Sequence, residues 1–160
     1  MNWAAIEAIS DTVSAVAVVV TLIYLAIQIR HNTKAVKSEN VHRVTDSFNQ
    51  INTLIASDEK LADLWQKGVA DYETLSDTEK SRFGFIQLSA FRIYDSLYYQ
   101  VQRATGDEQL WSAELNTMRW VFAYPGMRAW WLQQRFGFSP GFKAYIDNIV
   151  AEMAQQEGVA

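Results

Sequence analysis

The chain contains no cysteine. That excludes disulfides, cysteine-ligated zinc and thiol catalysis together. Proline is nearly absent as well, with only Pro125 and Pro140. Before Pro125, no residue interrupts a helix by lacking its backbone donor. From Met1 to Ile29 there is no Lys or Arg, and from Thr12 to Ile29 there is no charge of either sign. No nucleophile with a base, no paired acid and base, and no glycine-rich phosphate loop can be traced. The expectation is a protein that is not an enzyme, with no catalytic residue, no cofactor and no resident metal.

The uncharged run is what stands out. Thr12 to Ile29 reads TVSAVAVVVTLIYLAIQI, 18 residues rich in Val, Leu and Ile. As a helix it would measure roughly 27 Å, close to the thickness of a hydrocarbon core. A single transmembrane helix is the expectation. A cleaved signal peptide fits less well, because no basic segment precedes the run and Ala15 and Ala17 come before its most hydrophobic part. A buried helix of a soluble protein is the other alternative. Trp3 suits a membrane edge.

Charge follows this division. Residues 1–29 carry only Glu7 and Asp11, whereas Arg30, Lys34, Lys37 and Arg43 follow the run at once, against Glu39 alone. By the positive-inside rule the C-terminal part lies in the cytoplasm and the N-terminus outside. The net charge of −4 disfavours nucleic acid as a partner. Hydrophobic residues at 49% and aromatics at 13% exclude a disordered tail.

Turn and cap signals divide the chain into helices, and no strand pattern competes. Nothing stops the first helix before Ala56. Ser57-Asp58-Glu59 opens a short helix to Ala70. Ser76-Asp77-Thr78-Glu79 reads as a capping box opening a long helix through Arg103, ended by Gly106. Its apolar stripe is Phe83, Ile86, Ala90, Ile93, Leu97 and Val101, which suggests the central helix of a bundle. Asp107 caps the next helix, Pro125 suits a first helical turn, and Ser139-Pro140 opens the last. The expected class is all-α: a transmembrane helix (1–30), a juxtamembrane helical extension (31–56) and a cytoplasmic helical bundle (57–160).

Within the first helix, Glu7, Ser10, Ser14, Ala17, Thr21, Tyr24, Gln28 and His31 recur at alternating spacings of 3 and 4, continuing through Ala35, Ser38, His42 and Thr45. Apart from Tyr24, all are small or polar. The neighbouring stripe, Ile6, Ile9, Val13, Val16, Val20, Ile23 and Ile27, is wholly β-branched. Lipid accepts Ile and Val, whereas small and polar residues favour helix contact. Ser10, Ser14, Ala17, Thr21, Tyr24, Gln28 and His31 are therefore candidate interface residues. The partner would be a second copy in a homo-oligomer or another membrane protein, with membrane lipid around it. The plainer alternative is that each hydroxyl bonds to its own helix backbone.

Three other groups are candidates. Glu39, His42 and Asp46 share a helix face that could ligate a metal, though surface pairing is the ordinary use of such a face. Arg92 and Asp95, with Tyr98 beside them, could form a buried ion pair framing a ligand pocket. Arg128, Trp130 and Trp131 could form bundle core, a surface lying on lipid headgroups, or a partner contact.

YLAIQIRHNTKAVKSE (Tyr24 to Glu39) and PGMRAWWLQQRFGFSPGFKAYID (Pro125 to Asp147) resemble a recurring group of uncharacterised bacterial single-span membrane proteins. That group has an IRxNT membrane exit, here Ile29, Arg30, Asn32 and Thr33. It also has a C-terminal PGxRxWW…FSPxF block, here Pro125, Gly126, Arg128, Trp130, Trp131, Phe138, Ser139, Pro140 and Phe142. The resemblance implies an anchored helical protein of the bacterial inner membrane and carries no activity. The function expected is a membrane-anchored structural or interaction subunit presenting a cytoplasmic docking domain. The alternative is a ligand- or lipid-responsive regulator with its pocket near Arg92 and Asp95.

Overall fold

The computed structural model describes the backbone over residues 3–157 and the side chains of Trp3 and of residues 13–155. Six helices follow in order: α1 (Trp3–Ala56), α2 (Glu59–Ala70), α3 (Asp77–Gln102), α4 (Glu108–Phe122), α5 (Pro125–Gln134) and α6 (Pro140–Glu157). Short 3-10 turns at Tyr72–Thr74 and Arg135–Gly137 flank α2 and α5. No strand occurs among the described residues, so the fold is all-α.

The caps act where the sequence places them. The Asp58 carboxylate accepts from the backbone N–H groups of Lys60 and Leu61 at 2.9 and 3.2 Å. Asp107 does the same for Gln109 and Leu110, both at 2.9 Å. Each satisfies donors that a helix start leaves without intrahelical partners. At α3 the reciprocal capping box forms, with Glu79 accepting from the Ser76 backbone at 2.9 Å.

The turn after α3 differs from expectation. Gly106 was the expected left-handed terminator, but the positive φ, 57°, belongs to Ala104. The N–H groups of Thr105 and Gly106 both then return to the Gln100 carbonyl, at 2.9 and 2.8 Å. Gly106 is needed for space instead: a β-carbon there would press on the backbone of Gln100 and Val101.

The chain divides into two compact units, Met1–Glu39 and Asn40–Ala160. The second unit therefore includes the end of α1 from Asn40 on. There Val41, Val44, Phe48, Ile51 and Ile55 are buried or half-buried at spacings of 3 and 4. Phe48 packs against Tyr94 of α3 with ring centroids 4.8 Å apart and planes tilted by 46°.

In that unit α3 is central. Its buried line is Phe83, Gln87, Phe91, Tyr94 and Leu97, whereas Ile86, Ala90, Ile93 and Val101 of the expected stripe are only half-buried. Phe91 meets Phe122, Trp130, Trp131 and Phe138 at centroid distances of 5.1 to 6.2 Å. Aromatic pairs at such distances add to the energy of simple apolar burial. α5 crosses α2 at Gly126, where a β-carbon would overlap the carbonyl oxygens of Gly68 and Val69.

Candidate functional site

Four regions can be weighed, beginning with the apolar run. Among the described residues one helix is long and apolar enough to cross a membrane. Its apolar window has mean hydropathy 2.0, and none of that window is buried. Ten aliphatic side chains between Val13 and Ile29 are 48 to 66% exposed. By length and composition this run could cross a membrane.

The second region is the polar stripe on α1. Ser14, Ala17, Thr21, Tyr24, Gln28 and His31 are all exposed. The side chain of Ser10 lies outside the described residues. The Thr21 hydroxyl donates to the Ala17 carbonyl at 2.8 Å, and the Gln28 amide donates to the Tyr24 hydroxyl at 2.9 Å. Each thus has a partner inside its own helix, as the plainer alternative holds, which lessens the demand for a neighbour. The continuation through Ala35, Ser38, His42 and Thr45 is exposed too. The seam that α1 turns toward the bundle is the apolar one, Val41 to Ile55. The sequence reading missed it, although its 3-4 spacing is plain.

The third region departs most from expectation: Arg92 and Asp95 do not form a buried ion pair. Arg92 is exposed. Asp95 is taken by Ser139, accepting from its backbone N–H at 3.1 Å and from its hydroxyl. Ser139 immediately precedes α6, so Asp95 places a carboxylate at that helix's positive end. Tyr98 is half-buried among Tyr99, Trp111, Phe142 and Tyr145. Asp95 caps the start of α6 and Tyr98 packs among aromatics, whereas Arg92 lines a separate hollow with Asn40, Arg43 and Ser96, so the three do not frame one cavity.

Trp130 and Trp131 are not surface contacts either. Both are fully buried. The Trp131 indole donates to Asp147 at 2.9 Å, and Asp147 in turn pairs with Arg135 at 3.0 Å. Arg128 donates to the Phe122 carbonyl at 3.1 Å, bridging the break between α4 and α5. Glu39, His42 and Asp46 are all exposed, and among the described residues no three His, Asp or Glu side chains converge where a metal ion could sit.

The fourth region was not foreseen. A cavity of about 310 Å³ lies between the end of α1, α2, α3 and α4. Its walls include Phe48, Ile51, Ile55, Trp65, Phe91, Tyr94, Met118, Trp120 and Val121, and none of its lining residues is charged. Gln87 also lines it. That side chain is 4% exposed, and its amide nitrogen has no hydrogen-bond partner. Beside it, the Tyr94 hydroxyl bonds to Glu114. Desolvation, reinforced by the Glu114 charge and hydrogen bond, raises the Tyr94 hydroxyl well above its ordinary range; desolvation also raises the Glu114 carboxyl, and there the hydrogen bond opposes it. A glutamine amid apolar residues gives no sequence signal, because only tertiary packing shows that its nitrogen is left alone.

No protein-family model, no curated protein and no solved structure matches this chain.

Proposed function

We propose that this chain is a membrane-anchored structural or interaction subunit. The uncovered apolar run of α1 carries the reading. Ten exposed aliphatic side chains would cost on the order of 10 kcal/mol or more in water. That is comparable to the entire stability of a typical domain. Hydrocarbon removes the cost. The cations Arg30, Lys34, Lys37 and Arg43 after the run support a cytoplasmic bundle and an outside N-terminus, and the resemblance to bacterial single-span proteins points to the inner membrane. The small residues of the stripe support close packing of the span against a second copy or another membrane protein.

The absence of cysteine makes a clean test available. Single cysteines are introduced at Ser14, Val16, Val20 or Thr21 and oxidised in native membranes. Crosslinked dimers from Ser14→Cys and Thr21→Cys, but not from Val16→Cys and Val20→Cys, are the expected outcome for self-association. Equal yields from both sets remove the stripe as a homomeric interface. If native extraction then gives a mass above 18.3 kDa with other chains present, the contact is heteromeric. Release of the chain by an alkaline wash of the membranes overturns the anchor itself.

A second reading, a ligand-responsive regulator, is favoured by one observation: the uncharged cavity beside Gln87. It attaches to that cavity and not to Arg92 and Asp95.

A further inference from the structure

We infer that the cavity between α1, α2, α3 and α4 binds a small, uncharged, largely aromatic or aliphatic molecule through one carbonyl or ether oxygen, which accepts from the Gln87 amide. The inference rests on the regulator reading and specifies its ligand.

Three observations carry it. At about 310 Å³ the cavity falls at the lower end of small-molecule sites, which run roughly 300–1,000 Å³. Its walls are mostly aromatic and aliphatic, with the exposed Asn52 and Thr117 at the edge, and aromatic side chains come from Phe48, Trp65, Phe91, Tyr94 and Trp120. Gln87 is more than nine-tenths buried, with a donor nitrogen that nothing in the fold satisfies. Buried polar groups without partners are few in folded proteins, and each calls for a reason.

The chemistry of the walls narrows the occupant. A carboxylate or phosphate would lose its hydration and find no cation in the lining to replace it. An ammonium would find aromatic side chains but no carboxylate in the lining, and it would leave the Gln87 donor without an acceptor. The Tyr94 hydroxyl is already engaged with Glu114. A neutral oxygen acceptor on an apolar body suits the apolar walls and Gln87, while the exposed Asn52 and Thr117 at the edge keep their contact with water. It covers the apolar walls and supplies the acceptor that the amide lacks.

The test uses the full chain in lipid discs, photolabelled with benzophenone, with adducts mapped by peptide mass spectrometry. Fluorenone and fluorene compete at equal concentration in the disc lipid. They share a ring system, and only fluorenone carries an acceptor. Adducts are expected on cavity residues such as Met118 and Ile51. Fluorenone should protect about fivefold to tenfold better than fluorene, the ratio one hydrogen bond to a buried donor supplies. Gln87→Met keeps the side-chain length and should erase that ratio while labelling continues. Ala90→Phe, which fills the cavity, should abolish labelling.

Cavity adducts with equal protection by the two competitors overturn the acceptor assignment and leave the regulator reading standing. Adducts confined to Val13–Ile29 overturn both. The matched competitors act on the native chain, so the proposal remains decidable even where a variant does not fold.

Discussion

Asp95 of α3 accepts two hydrogen bonds from Ser139, one from its backbone N–H at 3.1 Å and one from its hydroxyl. The residues are 44 positions apart in sequence, so this contact pins the start of α6 to the central helix. It serves the same end as a local cap, but the carboxylate comes from another element. Replacing Asp95 with Ala leaves the Ser139 donors without their acceptor and should cost about 1–3 kcal/mol. Arg92→Ala, one turn earlier on the exposed face, should stay within about 0.5 kcal/mol. Thermal unfolding of the two variants checks the contrast. An ion pair at the core would have made them equally severe.

Gly126 allows α5 to lie on the end of α2. The first obstacles to a β-carbon are the carbonyls of Gly68 and Val69. These are backbone atoms and cannot rotate away as a side chain can. Gly126→Ala should therefore destabilise by about 3 kcal/mol, the upper end of ordinary overpacking. Gly137, around which a β-carbon would meet nothing within 4 Å, supplies the control. Gly137→Ala should change the unfolding midpoint little.

Glu114 gives the bundle a pH dependence of known sign. Burial raises its carboxyl in the folded state, and the hydrogen bond from Tyr94 only partly offsets this. In the window between the ordinary carboxylate range and the raised folded value, the folded chain holds the proton more often than the unfolded chain does. Stability contributed by this residue thus falls as pH rises through that window, and the cost is fully present above it. Glu114→Gln should gain stability over the native chain at neutral pH. The gain should vanish below the ordinary carboxylate range. Unfolding midpoints of both chains across acidic to neutral pH decide it, and a difference independent of pH would refute the assignment.

Ala104 holds the left-handed conformation, with φ 57°, after α3. A β-carbon there is strained by roughly 1–2 kcal/mol. Glycine removes the strain but adds freedom to the unfolded chain, at a cost of roughly 0.5–1 kcal/mol. The balance predicts that Ala104→Gly stabilises by up to about 1 kcal/mol, measurable as a higher unfolding midpoint.

Most of the fold was legible because helix ends are written locally. Asp58, Ser76 with Glu79, and Asp107 each satisfy donors two or three residues away, and such short-range chemistry can be read from spacing. The unbroken first helix could be read from the absence of Pro and Gly before Ala56. The bundle seam Val41, Val44, Phe48, Ile51 and Ile55 was equally legible in principle. It was overshadowed by the parallel stripe of small and polar residues on the same helix.

The candidate sites were less legible. Arg92 and Asp95 are three apart and could pair in an isolated helix. Asp95 found better donors on Ser139, which arrive only when α6 docks. Trp130 and Trp131 carry the same pattern whether they face solvent or core. Their burial is decided by Phe91, Phe122 and Phe138 closing around them.

The sequence alone determined where helices begin and end, that no strand competes, and that one run is apolar enough to span a membrane. Those properties depend on the identities of neighbours within a few residues. Tertiary structure alone decided which charges are satisfied, which aromatics are covered, and that Gln87 is left with an unanswered donor beside a cavity. Those outcomes depend on groups that approach from distant parts of the chain, and a hydrogen bond left unmade has no spelling in one segment.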